Sequence, residues 1–379
     1  MFMKSLEQMR EDLVSINISI LDLLCQRARV ALDVQQLKKK EGIPLFVPER
    51  EQKMLSELVS RNRGPFPDET IRHLFKEIFR ASVSLMEKRT ENAMCVSRSF
   101  RSQDLVIQIG DKQIGKDPIV IAGPCSVESA EQMDQIGGDL SRLGINFLRG
   151  GTFKPRSSPY AFQGMGEPGL KILKDTARRY GMISVTEVMD TRAVELVSEY
   201  ADVLQIGTRN MYNYSLLREV GRSQKPVLLK RGFAATIEEF LWAAEYIVSE
   251  GNQNVILCER GIRTFERQTR NTLDISAIPL IRQMSFLPII VDVSHAAGRK
   301  DILAPLGRAA LAAGANGLMV EVHPFPPVAR SDSQQQLDVG EFSKFLVDVG
   351  LDPRPVEEVA GLLTAQTHAT RSPTQGASS

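Results

Sequence analysis

Two spacings of apolar residues divide the chain. From about 6 to 40 there is no Gly or Pro, and Leu13, Ile16, Ile20, Leu23, Leu24, Val30, Val34 and Leu37 recur mostly at three- and four-residue steps. That is the pattern of one long amphipathic helix, stopped by Gly42 and Pro44. A second helix is predicted from about 48 to 61. After the break at Gly64-Pro65-Phe66-Pro67, a third runs from about 68 to 88, with Ile71, Leu74, Phe75, Ile78, Phe79, Ser82 and Leu85 on one side. Residues 1–90 therefore read as a small all-α domain. The first helix, ~50 Å long at 1.5 Å per residue, is too long to be covered by two short partners. It is expected to pack against its copy in another chain.

Residues 91–117 form a linker in which DLVIQIGDKQIG alternates and turns at Gly110-Asp111, a hairpin suited to plug one end of a barrel. Beyond it the period changes. Eight short apolar runs follow: IVIAGPCS, NFLRGG, ISVTEV, VLQIGTR, PVLLKRG, VILCERG, PIIVDVSH and GLMVEVHP. Continuous Val/Ile/Leu strands are buried on both faces, as in a parallel sheet. Helical segments lie between them, one of them over 272–284. The prediction for 118–352 is an α/β fold, a closed (β/α)₈ TIM barrel whose site lies at the C-terminal strand ends. The tail, 353–379, is small, polar and expected to be disordered.

Composition narrows this little. Apolar content is 42%, charged content 25% and net charge +1. No global field points to nucleic acid or an anionic membrane, and no apolar run is long enough to span a bilayer. The four cysteines show no CxxC spacing, and the N-terminus lacks a signal-peptide pattern. A reducing cytoplasmic location is expected.

Nearly every run ends in polar residues, which are costly in a buried sheet unless they serve a site. Arg149, Lys154, Arg156, Arg209, Lys230 and Arg260 lie at or just after strand ends. Converging cations expect polyanionic ligands such as phosphates and carboxylates; solvated rim charges are the alternative. Cys125, His295 and Glu321 close runs one, seven and eight, and Asp332 follows in the next loop. That set suits one divalent transition ion, Mn, Fe, Co or Zn. Spacing alone equally allows a core cysteine and a hydrogen-bonded core histidine.

The strings AGPCSVES, LRGGTFKPRSSPYAFQG, QIGTRNM, LLKRG, LCERGIRTF, NTLDISA, VDVSHAAGR and EVHPFPPVARSDSQQQ resemble 3-deoxy-D-arabino-heptulosonate 7-phosphate (DAHP) synthases, within the branch that includes octulosonate 8-phosphate synthases. The resemblance covers nearly all of 118–350. It implies condensation of phosphoenolpyruvate with erythrose 4-phosphate, the first step of aromatic amino-acid biosynthesis. It further implies metal ligation by Cys125, His295, Glu321 and Asp332. Phosphoenolpyruvate contacts would be Arg149, Lys154, Arg209, Lys230 and Arg260, and erythrose 4-phosphate contacts Arg156 and Ser157. Asp292 would lie beside metal and substrate. Catalytic roles fall to Lys154, His295, Cys125 and Asp292. Octulosonate-forming relatives carry Ala-Asn where this chain has Pro155, so KPRSS favours the four-carbon sugar phosphate.

In the helical segment, Arg27 and Lys38 share a helix face about 16 Å apart along the axis, able to bracket a small dianion, and Arg10 lies roughly 100° away. Solvated cations on a dimeric bundle are the alternative. LEQMREDL, LLCQRARVALDVQQLK, VPEREQKML and FKEIFRASVSL resemble all-helical chorismate mutases over about 6–86. The resemblance implies binding of chorismate or prephenate, as effector or substrate, by Arg10, Arg27, Lys38, Arg50, Glu51 and Ser82. Two positions depart. Met86 stands where the family usually has a Gln or Glu that donates to the ether oxygen, and Val47 where it often has Asp. Met86 cannot donate, so binding is expected to outlast mutase turnover. The expectation is a homo-oligomer, dimer or tetramer, joined through the N-terminal helices, in which this domain regulates the synthase.

Overall fold

The computed structural model describes residues 4–41, 48–91, 94–154 and 160–352. Val47, Pro155, Arg156, Ser157 and the tail from 353 onward lie outside them, as do the side chains of Glu51 and Met86. Two compact units divide the chain, Met1–Met94 and Cys95–Ser379.

The first unit holds α1 (Leu6–Glu41), α2 (Pro48–Ser60) and α3 (Asp68–Glu91). Asp68 and Glu69 occupy the first turn of α3, where acidic groups oppose the positive end of the helix dipole. Leu55 of α2 and Phe79 of α3 are buried, with Gln35 and Ser82 beside them in burial. The apolar stripe of α1 is not: Leu13 is 60% exposed, Leu23 64% and Leu37 59%. A long row of large apolar side chains facing water is more than the scattered single residues of an ordinary surface.

The second unit begins with a hairpin, β1 (Ile107–Ile109) and β2 (Lys112–Ile114), paired Ile107↔Ile114. Both of those isoleucines are fully buried. Leu105 N–H donates to Phe286 O at 2.9 Å, and the Asn316 amide donates to Gly115 O at 3.2 Å. Phe286 and Asn316 lead into two barrel strands, so the hairpin closes the N-terminal end of the barrel.

The barrel strands are β3 (Ile119–Gly123), β4 (Phe147–Arg149), β5 (Ile183–Glu187), β6 (Val203–Ile206), β7 (Val227–Lys230), β8 (Val255–Glu259), β9 (Ile289–Asp292) and β10 (Gly317–Glu321). They run parallel in sequence order, and β10 pairs with β3 in the register Glu321↔Gly123 to close the ring. Every residue of β6 to β10 is buried, as a sheet covered on both faces requires. The surrounding helices are α4 (Ala130–Arg142), α5 (Glu167–Arg179), α6 (Val194–Tyr200), α7 (Tyr214–Arg222), α8 (Ile237–Val248), α9 (Ala277–Met284), α10 (Val293–Ala297), α11 (Leu303–Ala312) and α12 (Val339–Val349). Reciprocal capping boxes start α8 (Thr236 with Glu239) and α12 (Asp338 with Glu341).

Two expectations need correction. The segment 272–284 is helical only from Ala277. Thr272 instead exchanges backbone hydrogen bonds with Ile262 at 2.9 Å, and Asp274 accepts the Ala277 N–H at 3.2 Å. His295 is not in a strand. β9 stops at Asp292, whose side chain accepts the His295 N–H at 2.9 Å and so caps the short helix α10 that carries the histidine.

Candidate active site

The predicted ligand types gather at one barrel mouth. Cys125 lies two residues past β3, Glu321 is the last residue of β10, Asp332 lies in the loop beyond, and His295 sits on α10. Ligand atoms of Cys125, Glu321 and Asp332 are within 4.8 Å of one another. The Cys125 thiol donates to Asp332 Oδ2 at 3.4 Å, and His295 Nε2 stands 3.4 Å from Glu321 Oε1. Asp292 Oδ2 accepts from His295 Nδ1 at 2.7 Å. That bond places the ring proton on Nδ1 and leaves the Nε2 lone pair facing the cluster.

One atom tests whether a cation fits here. Glu321 is wholly buried, yet its Oε1 has no hydrogen-bond donor among the described residues. Arg149 Nη1 approaches it to 3.1 Å, but off the angle a hydrogen bond needs, so both atoms stay unsatisfied. A bare buried carboxylate oxygen is expensive. A divalent ion among Cys125, His295, Glu321 and Asp332 would satisfy it, and the donor set is of suitable softness for one.

Beside the cluster, Arg149, Lys154, Arg209, Lys230 and Arg260 line one open pocket. All five were singled out for lying at or just after strand ends, and the structure brings them to one mouth. Arg156 and Ser157 fall outside the described residues. Lys230 Nζ donates to Asp292 Oδ2 at 2.5 Å, so one carboxylate holds both a cation of the pocket and His295. Behind Lys230 and Arg260, Arg231 pairs with Glu259 at 2.8 Å and Asp274 at 2.9 Å, locking β7 to β8 and the following loop. Phe233 lies under three guanidinium groups, with ring-centre distances of 5.8 Å to Arg209, 5.2 Å to Arg260 and 4.1 Å to Arg263. Its electron-rich face offsets some of their mutual repulsion.

Glu187, Gln205, Phe233 and Arg270 also line the cavity, and the sequence reading singled out none of them. Glu187 ends β5, the same position rule that found Lys230. A negative residue in a set chosen for positive charge was passed over. Burial pushes its carboxyl above the usual range, against the pull of Lys154, Lys230, Arg149 and Arg209. Gly207 makes room for it, since any Cβ there would collide with the Glu187 carboxylate. Gly151 does the same for Lys154. A Cβ would stand 3.0 Å from its ammonium and 2.7 Å from the Cys125 carbonyl.

Charge tunes the cluster. Burial, reinforced by Glu321, pushes the Cys125 thiol up to about 11. Burial opposes ionisation of Asp332, but Arg270 and His295 overcome it and bring it to about 2. His295 is held below its ordinary range, chiefly by burial, which favours the neutral imidazole that a ligand must be.

In the helical unit, the Arg27 guanidinium donates to the Ser82 hydroxyl and lies 4.9 Å above the Phe79 ring. Two of the six predicted binding residues therefore meet. Lys38 is partly buried on the same helix, whereas Arg10 and Arg50 are exposed.

A family model described as the DAHP synthetase I family matches residues 97–350, and one described as chorismate mutase type II matches residues 9–87. A Thermotoga maritima phospho-2-dehydro-3-deoxyheptonate aldolase is 55% identical over 255 residues, covering 67% of this chain and 75% of that protein. A 2-dehydro-3-deoxyphosphooctonate aldolase of Fusobacterium nucleatum is 31% identical over 272 residues, covering 64% of this chain and 95% of its own. The crystal structure of the Thermotoga maritima DAHP synthase superposes with TM-score 0.65 at 52% identity, covering 72% of this chain and 77% of that one. A truncated form of that synthase gives TM-score 0.62 at 50% identity, covering 72% of this chain and 96% of that one. With its barrel and its helical unit each matched in this way, the chain belongs to the DAHP synthetase I family and carries a chorismate mutase type II domain in front of the barrel.

Proposed function

We propose that this protein condenses phosphoenolpyruvate with erythrose 4-phosphate to DAHP, releasing inorganic phosphate. The observation that carries the reading is the meeting of five cations with the Cys125, His295, Glu321 and Asp332 set at one barrel mouth. Those four side chains would hold one divalent transition ion, Mn, Fe, Co or Zn by donor type. When bound, such an ion supplies Lewis acidity toward a carbonyl oxygen.

The chain's own residues do the rest. Arg209, Lys230, Arg260 and Arg149 hold the phosphate and carboxylate of phosphoenolpyruvate, so that its C3 meets the aldehyde carbon at near-attack distance. As the new C–C bond forms, the aldehyde oxygen takes a proton, and Lys154 Nζ beside Cys125 is placed to give it. Water then adds at C2 and phosphate leaves. Asp292 keeps His295 in the ligating tautomer and Lys230 in place. Pro155, between Lys154 and Arg156, favours the four-carbon aldose over arabinose 5-phosphate. Phosphate release measured with each sugar tests this, and a preference for arabinose 5-phosphate makes the octulosonate synthase the better reading.

The helical unit is read as the regulator. Arg27, Lys38, Arg50, Glu51 and Ser82, with Arg10 from a second copy, bind chorismate or prephenate, and mutase turnover is weak because Met86 offers no donor. The bare stripe of α1 supports pairing of two copies through that helix, in a dimer or tetramer. Free thiols and the absence of an apolar spanning helix among the described residues fit a cytoplasmic enzyme.

A further inference from the structure

The loop after β10 carries three consecutive glutamines, and they differ sharply. Gln334 is exposed, whereas Gln335 and Gln336 are buried. Burying a carboxamide is costly unless both of its ends are paired. Here both ends of both side chains are.

Gln335 donates from Nε2 to Glu321 Oε2 at 2.5 Å and accepts at Oε1 from Arg270 at 2.8 Å. A carboxylate only accepts and a guanidinium only donates, so these partners fix which way the amide points. The consequence falls on Glu321. Its Oε2 is occupied by Gln335, while its Oε1, toward His295 Nε2, has no hydrogen-bond donor. Arg270 also stands 3.3 Å from Asp332 Oδ2. One chain of contacts therefore runs from Glu321 through Gln335 and Arg270 to Asp332.

Gln336 works on the opposite side. It accepts the Cys125 N–H at 2.9 Å and donates to Ser331 O at 2.8 Å. Ser331 and Ser126 hydroxyls meet at 2.7 Å. The residue before Asp332 is thereby tied to the residue after Cys125. Asp332 itself sits at φ +46°, a left-handed conformation uncommon outside glycine, though Asp enters it more readily than most residues.

We propose that Gln335 and Gln336 are positioning residues of the metal centre. Gln335 masks one oxygen of Glu321, so that the other alone faces the ion. Gln336 clamps the Asp332 turn to the backbone of Cys125. This rests on the metal reading above. Outer partners of this kind are worth about 10- to 100-fold in metal affinity.

The test titrates Co(II) into chelator-stripped full-length protein and reads affinity together with the visible spectrum. In the unaltered protein the thiolate-to-cobalt charge-transfer band reports ligation by Cys125. Gln335→Met is expected to weaken Co(II) binding about 10- to 100-fold, keep the thiolate band and alter the ligand-field bands. Gln336→Met is expected to weaken binding to a similar degree and shift the thiolate band. Gln334→Met is the matched control and should bind Co(II) as the unaltered protein does. Thermal melts of the stripped proteins separate positioning from unfolding. Should Gln336→Met not fold, Gln335→Met decides alone. Unaltered affinity and spectrum in a folded Gln335→Met overturn the proposal while leaving the metal reading intact. Absence of a thiolate band in the unaltered protein overturns both.

Discussion

Lys154 Nζ lies 3.1 Å from Cys125 Sγ and 2.9 Å from the Cys125 carbonyl oxygen. The ammonium thus stands between the cation-lined pocket and the ligand cluster, donating to a neutral carbonyl, and among the described residues no carboxylate oxygen pairs with it directly. A proton donor for a developing alkoxide has to sit at that boundary. Lys154→Met should lower kcat by ~10² to 10⁴, the usual range for a lost general acid, while one metal ion per chain is retained. Steady-state kinetics paired with metal analysis checks this. Near-normal turnover, or a protein that has lost its metal, contradicts the role.

Arg209 lines the pocket from the turn after β6 and rests near the Phe233 ring. A charge-assisted contact to a substrate phosphate or carboxylate contributes about 2 to 3 kcal/mol, which is ~30- to 150-fold in binding. Arg209→Ala is therefore expected to raise the KM for phosphoenolpyruvate by that factor, with little change in the KM for the aldose. Unchanged kinetics count against the assignment.

The sequence carried the barrel because a parallel ring covered on both faces must be written in short, uninterrupted apolar runs. The exceptions to that rule then stood out, and Arg149, Lys230 and Glu321 lie at their strand ends as read. His295 was misplaced because an Asp that ends a strand can also cap a helix, and one letter does not say which. Gln335 and Gln336 were illegible for a different reason. Their importance comes from contacts to Glu321 and Cys125, which lie 14 and 211 residues away. The α1 stripe was legible as apolar, but spacing along one helix does not say what packs against it, and in the described residues Leu13, Leu23 and Leu37 stay exposed.

The thiols make a check on packing. Cys25 is exposed. Cys258 is fully buried, and burial pushes its thiol up to about 12. Thiolate is the reactive form, and below the pKa its fraction rises tenfold per pH unit. At neutral pH an alkylating reagent should therefore label Cys25 in the folded protein and leave Cys258 untouched until denaturation. Peptide mass spectrometry reads this directly. Equal labelling of the two in native protein contradicts the packing of β8.

The regulatory reading makes its own demand. A chain beginning near Arg98 should remain an active synthase and become insensitive to prephenate, whereas the full chain is inhibited. Coupling of ~1 to 3 kcal/mol between the sites corresponds to a change of about 5- to 150-fold in effector-dependent affinity. If the shortened protein is still fully inhibited, the helical unit is not the sensor. Met86→Gln should raise mutase turnover by about an order of magnitude or more, since one restored donor is worth up to ~10² to 10³ in rate. An unchanged rate removes Met86 as the defect.

The most direct measurement of the central claim is phosphate release from phosphoenolpyruvate by chelator-stripped protein, as erythrose 4-phosphate and a divalent transition ion are added back. The expected result is release only when both are present, matched one to one by DAHP, and abolished by Cys125→Ala. Full turnover in the stripped protein, or no condensation with erythrose 4-phosphate under any metal, contradicts the account.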